Sequence, residues 1–539
     1  QTRLVKIGEH RIRWFEWAGP DRVLISLWMD ATVAGFETHV TRLVTYDVKT
    51  GKATFAGYNN QGLVGDEVIY KADDGSHILI SLSRTALPYP DVYRVDLATG
   101  KLTRIVDGRE PIYYWYANAK GEVMAGLGFE GGHIRLFSHV EGSNYFKHVG
   151  AARLDDSDAE IDTVRIPQTG DQGYVVTNQP TGRFGLYEFN WKTGEIGKAV
   201  FEHPTVDLDD ITMTRDGAIE SVRYVDDRRR VQWFDPELKK IQDEIDAALV
   251  GRMNRIRGTS LDRSRVLVWT GTAMDPGQVF YYDRAAEQMK RVATVNESLK
   301  GKQLSPVSYV SYKPRDGLDI PAYLTLPAGR EPKNLPLILL PHGGPFARDD
   351  WSFDFIAQFL ANRGYAVLQP NFRGSAGYGR DFLEKGFGQW GTGMQDDLTD
   401  GLQWLVGQGT VDPKRVCIVG ASYGGFAALV GAFRTPGLFR CAVSWAGVTD
   451  MPEIMRYENV QLHSSRYRKF RNRVRGEDGA NVREISPVNR AKDIAIPILV
   501  MHGTDDDIVP YHQAESFVKA MERAGKPLEF IEFKDAGHR

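Results

Sequence analysis

The sequence predicts two domains of different class: β-sheet repeats with the period of a β-propeller over residues 1–304, and an α/β domain on a parallel sheet over 305–539. Three observations carry this. A strand-like phrase ending in Asp or Asn recurs about every 47 residues in the first part, the signature of stacked repeats. The second part alternates short apolar runs with helical segments, the pattern of a parallel sheet covered on both faces. A chain of 539 residues is also too long for one ordinary core.

The repeats come first in chain order. Residues 43–52, 92–101 and 186–195 each read as a strand that ends in Asp47, Asp96 or Asn190 and runs into a Thr-Gly turn. Weaker copies end in Asp235 and Asp283, and a degenerate copy lies near 134–137. Alternating runs of this kind with turn residues between them are an all-β signal, and several strands per unit point to propeller blades. Six units are visible. With the chain opening on Gln1 and not Met, a seventh is expected in the missing start, so about seven blades are expected. A β-sandwich with chance spacing is the plain alternative. The linker falls near 296–305, and helical segments follow at 354–362 and 396–407.

Within the second part, Val416-Cys417-Ile418-Val419 reads as a buried strand, followed by Gly420-Ala421-Ser422-Tyr423-Gly424 and a helix start from Gly425. Strand, G-x-S-x-G, helix is the context of a nucleophile elbow, in which the glycines allow a sharp turn and the serine hydroxyl stands at its tip. A serine needs a base, and the base needs an acid to fix its tautomer and stabilise its cation. Downstream, an apolar run over 495–501 leads through His502 into a loop with Asp505, Asp506 and Asp507. A second strand over 528–533 leads into a loop with His538. Serine, acid and histidine thus stand in the chain order of an α/β-hydrolase. Upstream, the strand Leu337-Ile338-Leu339-Leu340 precedes Pro341-His342-Gly343-Gly344-Pro345, similar to a loop that donates one backbone N–H to an oxyanion. The residue after the serine, Tyr423, donates the other. Such donors contribute roughly 2.7–4 kcal/mol each in the transition state.

Together with Asn371-Phe372-Arg373-Gly374-Ser375-Ala376-Gly377-Tyr378-Gly379 and Gly537-His538, these stretches resemble the prolyl oligopeptidase family of serine peptidases, the acylaminoacyl-peptidase-like branch most closely. The resemblance is close over roughly 305–539 and architectural before it. It implies Ser422 as nucleophile, His538 as base, and Asp506 as the acid, since the family's acid is the fifth residue of the pattern that begins at His502. It further implies Gly344 and Tyr423 as the oxyanion hole, and a propeller that covers the site and excludes folded proteins. The implied activity is hydrolysis of amide bonds in short or unstructured peptides through an acyl-enzyme. An esterase or isopeptidase on the same scaffold, and a non-catalytic propeller binding protein, are the rival readings. Two departures stand out. Family members usually continue past this histidine into a last helix, whereas this sequence stops at Arg539. Family dipeptidyl-peptidases grip the substrate amino terminus with a Glu-Glu pair, and no Glu-Glu dipeptide occurs here.

Other features have plainer readings. His342 reads as structural. Arg373 is a candidate substrate-binding residue, with a buried pairing that shapes its loop as the alternative. The basic run 466–475 reads as a solvated helix face with acidic-substrate attraction behind it, rather than a nucleic-acid patch. Asp155-Asp156-Ser157-Asp158 lacks the spacing of a calcium loop, so no metal and no cofactor are expected. Cys417 and Cys441 lie in apolar runs and read as buried free thiols in neighbouring strands. A net charge of −3 implies no bulk attraction to nucleic acid, and no apolar run approaches the length of a membrane span. Oligomeric state and compartment, cytoplasmic or periplasmic/secreted, stay open.

Overall fold

The computed structural model describes residues 10–538 except 34–35, 58–61, 84–88, 131–132, 154–160, 166–171, 192, 215–216, 463 and 478. The Asp155–Asp158 stretch therefore lies outside the described residues. The repeats are blades of a β-propeller. Their antiparallel sheets span Arg11–Trp17 to Ala53–Phe55, Glu67–Lys71 to Leu102–Val106, Ile112–Ala117 to Phe146–Arg153, Ile161–Arg165 to Glu195–Phe201, Leu208–Met213 to Arg229–Trp233, and Met253–Thr259 to Gln288–Thr294. Five have four strands and the fifth has three. The described residues hold six such sheets, the six units counted in the repeat, where about seven blades were expected with the seventh before Gln1.

The recurring Asp or Asn has a physical task. Asp47 and Asp96 each accept the N–H of a threonine three residues on at 2.8 Å, and Asn190 accepts that of Thr193 at 3.1 Å. These contacts fold the chain back into the next strand, and Gly51, Gly100 and Gly194 supply the left-handed φ of 76°, 73° and 74° that closes the turn. Asp235 uses the same carboxylate differently. It accepts the N–H groups of Glu237 and Leu238 and caps a helix, Pro236–Ala248, with Pro236 in its first turn. That helix buries Leu238, Ile241 and Ile245 against Val266, Val268 and Tyr282 of the last blade.

The chain divides into two compact units, one of residues 1–180, 185–202 and 212–219, the other of 181–184, 203–211 and 220–539. The division falls within the fifth sheet, whereas the class of structure changes between Thr294 and Val307. In the first unit each blade packs its apolar face on the next. Leu24 and Leu43 meet Ile78 and Ile80, Leu79 and Val92 meet Ile112 and Trp115, and Ala125 and Leu127 meet Val175 and Tyr187.

In the second unit lies the eight-stranded sheet of an α/β-hydrolase. Its order is Val307–Tyr312, Ile320–Thr325, Ala366–Pro370, Leu335–Leu339, Val411–Ala421, Cys441–Trp445, Ile498–Gly503 and Leu528–Phe533. The first two strands are antiparallel and the rest pair in parallel. Helices Phe355–Asn362, Gly393–Gly407, Tyr423–Arg434 and His512–Arg523 connect the parallel strands, so the central strands read as continuous apolar runs. Cys417 and Cys441 are not free thiols, as the sequence suggested. They sit opposite each other on adjacent strands and form a disulfide, with Cα atoms 4.8 Å apart. Neighbouring strands were legible, but the register that places one cysteine against the other was not. No helix among the described residues is long and apolar enough to cross a membrane.

Candidate active site

Ser422 stands between the strand Val411–Ala421 and the helix Tyr423–Arg434 with φ 57° and ψ −121°. A side-chain-bearing residue rarely adopts a positive φ, and such strain persists only where the surroundings impose it. Three glycines impose it here. A Cβ on Gly420 would lie 2.3 Å from the Gly424 carbonyl oxygen, one on Gly424 would lie 2.2 Å from that of Pro341, and one on Gly425 would lie 2.8 Å from Ser444 Oγ. Strand, helix and the Pro341–Pro345 loop thus approach so closely that only hydrogen fits. The turn is also tied sideways, since Ser422 N–H donates to Trp445 O and Ala446 N–H donates to Met501 O. These two bonds step across the sheet from the serine to the strand that leads into the acidic loop.

Of the three aspartates in that loop, Asp506 faces the imidazole. Its Oδ2 lies 2.7 Å from His538 Nδ1, and its Oδ1 accepts the N–H groups of Ile508 at 3.0 Å and Val509 at 2.9 Å. Thr504 Oγ1 donates to Asp505 instead, and Asp507 contributes its carbonyl to Tyr457 Oη at 2.6 Å. His502 was not assigned a role from sequence. It is fully buried, its Nε2 lies 2.8 Å from Val509 O and 3.2 Å from Asp506 Oδ2, and it braces both the loop and the carboxylate. Burial alone would raise the pKa of Asp506. The hydrogen bonds from His502, His538 and Val509, with the charge of His538, outweigh it and hold the carboxyl well below its ordinary range. An ionised carboxylate on Nδ1 fixes the tautomer that leaves Nε2 to accept a proton. Among the described residues no hydrogen bond links the Ser422 hydroxyl to His538. Such contacts are often long before substrate binds.

The oxyanion candidates flank the serine. Tyr423 is the first residue of its helix, so its N–H has no acceptor within the helix. A Cβ on Gly343 would lie 3.4 Å from Ser422 Cβ and 4.0 Å from its Oγ, which sets the loop of Gly344 against the nucleophile. Gly344 takes φ 114° and is followed by a cis bond to Pro345. His342 is structural in its contacts. Its Nδ1 donates to Gly343 O, its Nε2 lies 2.9 Å from Ser375 Oγ, its ring stacks on Phe372, and burial pushes it down to about 4.

Arg373 pairs rather than reaching for a ligand. Its Nε and Nη2 donate to Asp397 and Nη2 also donates to Asp316, with Nη2 2.7 Å from an oxygen of each, and its side chain is 14% exposed. The loop-shaping alternative therefore describes what these atoms do. Over the basic run, Ser464–Arg475 is a helix, but it is not wholly solvated: Val474 is buried and the Arg473 guanidinium lies 4.9 Å from the Phe346 ring.

A serine on a strained strand–helix turn, with an aspartate–histidine pair at the same carboxyl edge of a parallel sheet, defines the class of α/β-hydrolase-fold serine enzymes. Residues 351–539 match the sequence profile of the prolyl oligopeptidase family and form a domain of that family. The chain is 35% identical over 330 residues to dipeptidyl aminopeptidase BIII of Pseudoxanthomonas mexicana, a match covering 59% of this chain and 47% of that protein. It is 28% identical over 212 residues to the acylamino-acid-releasing enzyme of Arabidopsis thaliana, covering 38% and 27%. The matched part spans less than half the length of either relative. Among solved structures, a puromycin-hydrolyzing peptidase of Mycobacterium tuberculosis superposes with a TM-score of 0.72 at 19% identity, covering 98% of this chain and 91% of that one. At that identity the likeness speaks for the fold.

Proposed function

We propose that this protein is a serine peptidase that hydrolyses amide bonds in short or unstructured peptides. Ser422 attacks the carbonyl carbon, His538 Nε2 takes the hydroxyl proton, and Asp506 holds and stabilises the imidazolium. The N–H groups of Gly344 and Tyr423 receive the developing oxyanion. His538 then returns its proton to the leaving amine, and water releases the acyl group by the same steps in reverse roles. The observation that carries the reading is the strained Ser422 turn at the sheet edge where Asp506 orients His538. The names of the relatives, peptidases and acylamino-acid-releasing enzymes, support peptide substrates. Arg373 is left out of the substrate contacts because its Nε and Nη2 donors are engaged by Asp397 and Asp316.

The test is a panel of short peptides and matched esters, assayed with the protein and with Ser422→Ala. Amide cleavage that disappears in the variant is expected. Turnover of esters with no cleavage of any matched amide would replace the peptidase reading with an esterase.

A further inference from the structure

The helices Met451–Gln461 and Ser464–Arg475, with the segment after them, enclose an open cleft of about 300 Å³. Met455 and Val482 are buried at its base, and Arg456, Arg475, Arg483, Tyr467 and Asn481 line it. Three guanidinium groups around one cleft repel one another unless an anion joins them. Here none does: among the described residues no carboxylate forms an ion pair with Arg456, Arg475 or Arg483. Arg475 donates from Nη2 to Gly479 O at 3.1 Å, and its buried Nε–H has no partner. Two arginine clusters elsewhere are matched by carboxylates. Arg228 and Arg230 share Asp226 and Asp227, and Arg263 and Arg284 share Glu237.

The cleft is built from elements that border the proposed site. Next to Met455 and Arg456 on the first helix, Tyr457 donates its hydroxyl to Asp507 O, one residue from Asp506. Two residues before Arg475 on the second helix, Arg473 lies over Phe346, which follows the Gly344–Pro345 bond, and its carbonyl accepts the N–H of Gly388. A ligand in the cleft therefore rests on the two helices that touch the acid loop and the oxyanion loop.

We infer that this cleft binds a carboxylate of the peptide substrate, at its carboxyl terminus or on an acidic side chain, and so selects acidic or free-ended peptides. The inference rests on the peptidase reading for the identity of the ligand. Guanidinium groups suit it because their planar fork of donors matches a carboxylate in a bidentate pair, with the Tyr467 hydroxyl able to donate beside them, while Asn481 Nδ2 already donates to Glu484 Oε1 at 2.8 Å.

The test is calorimetric titration of the full chain carrying Ser422→Ala, which binds without turnover, using one tetrapeptide with a free carboxyl terminus and its carboxyl-terminal amide. A charge-assisted pair predicts about tenfold tighter binding of the free acid. In the same background, Arg456→Gln with Arg483→Gln is expected to close the gap to less than about twofold, and Arg456→Lys with Arg483→Lys to retain part of it. Both arginines are exposed, so the exchanges leave the core intact. Equal affinity for the two peptides, or a gap that survives the double glutamine variant, overturns the inference. So does arginine-dependent binding of inorganic phosphate with no preference between the peptides, which would give the cleft to another anion. A gap that depends on the arginines, in a protein that cleaves no peptide, would uphold the cleft and sink the peptidase reading.

Discussion

Asp506 in the catalytic sheet and Glu67 in the second propeller blade are both carboxylic acids taken largely out of water, and they are held in opposite states. Asp506 gathers two imidazoles and two backbone N–H groups, and remains ionised. Asp66, beside Glu67, shows the same solution in the propeller: Arg13, Trp14, Ser26 and Thr41 all donate to it, and its pKa is lowered although burial opposes this. Glu67 has no such set. Burial, then the charge of Asp66, pushes it up to about 7. Burial alone raises a carboxyl; directed donors reverse it. A catalytic sheet must place donors on its acid, because an acid that becomes protonated can no longer stabilise an imidazolium.

Four substitutions or treatments would break or sharpen this contrast. The largest effect is expected for Ser422→Ala, which removes the group the whole constellation serves. Peptide hydrolysis should fall by about 10⁶ in kcat, measured against a preparation free of other peptidases. Next comes Asp506→Asn, which keeps the shape and removes the charge. A loss of about 10⁴ in kcat with little change in KM is expected, because the amide stabilises the wrong tautomer of His538. A loss below about tenfold would mean that the donors around Asp506 serve the loop alone.

Reduction of the Cys417–Cys441 disulfide acts on the catalytic sheet. Closing a separation of 24 residues stabilises the folded state by about 3 kcal/mol in the chain-entropy account. Thermal unfolding with and without reductant should show that loss, and thiol titration in denaturant should find no free thiol before reduction.

The smallest effect is expected for Glu67→Gln. With the folded pKa at about 7 and a reference value of 4.5, the folded state holds the proton more tightly, so Glu67 costs stability progressively as pH rises from 4.5 through about 7. The glutamine variant should be more stable than the parent by about 2 kcal/mol at pH 8, with some solvent access allowed for, and no more stable near pH 4. Denaturant curves at the two pH values decide it; parallel curves would mean Glu67 is solvated. Asp506 carries the reverse sign. Its stabilisation is present above its reference value of 3.8 and is lost as pH falls below it.

What the sequence disclosed follows from how local each feature is. The Ser422 turn was legible because the glycines that permit it, Gly420, Gly424 and Gly425, lie within six residues, although Gly424 and Gly425 make room for Pro341 and Ser444 elsewhere in the chain. The blade turns were legible because Asp47 and Asp96 reach only three residues along their own chain. Among Asp505, Asp506 and Asp507, adjacency hid which side chain turns inward, and only the family pattern favoured Asp506. The brace from His502 had a faint signal, its place four residues before Asp506. The contact of Tyr457 with Asp507 had none, since it joins a helix to a loop fifty residues away. The helix Pro236–Ala248 could have been found from Asp235-Pro236 and the spacing of Leu238, Ile241 and Ile245, but the Asp at the repeat position drew the reading toward a blade turn. The disulfide depends on strand register, which no local pattern carries.

The most direct test of the Ser422–His538–Asp506 account is covalent labelling with a fluorophosphonate, followed by mapping of the modified peptide by mass spectrometry. The account predicts a single adduct on Ser422, slowed severalfold or more by Asp506→Asn and abolished by His538→Ala. Labelling elsewhere, or at Ser422 with a rate indifferent to His538, would contradict it.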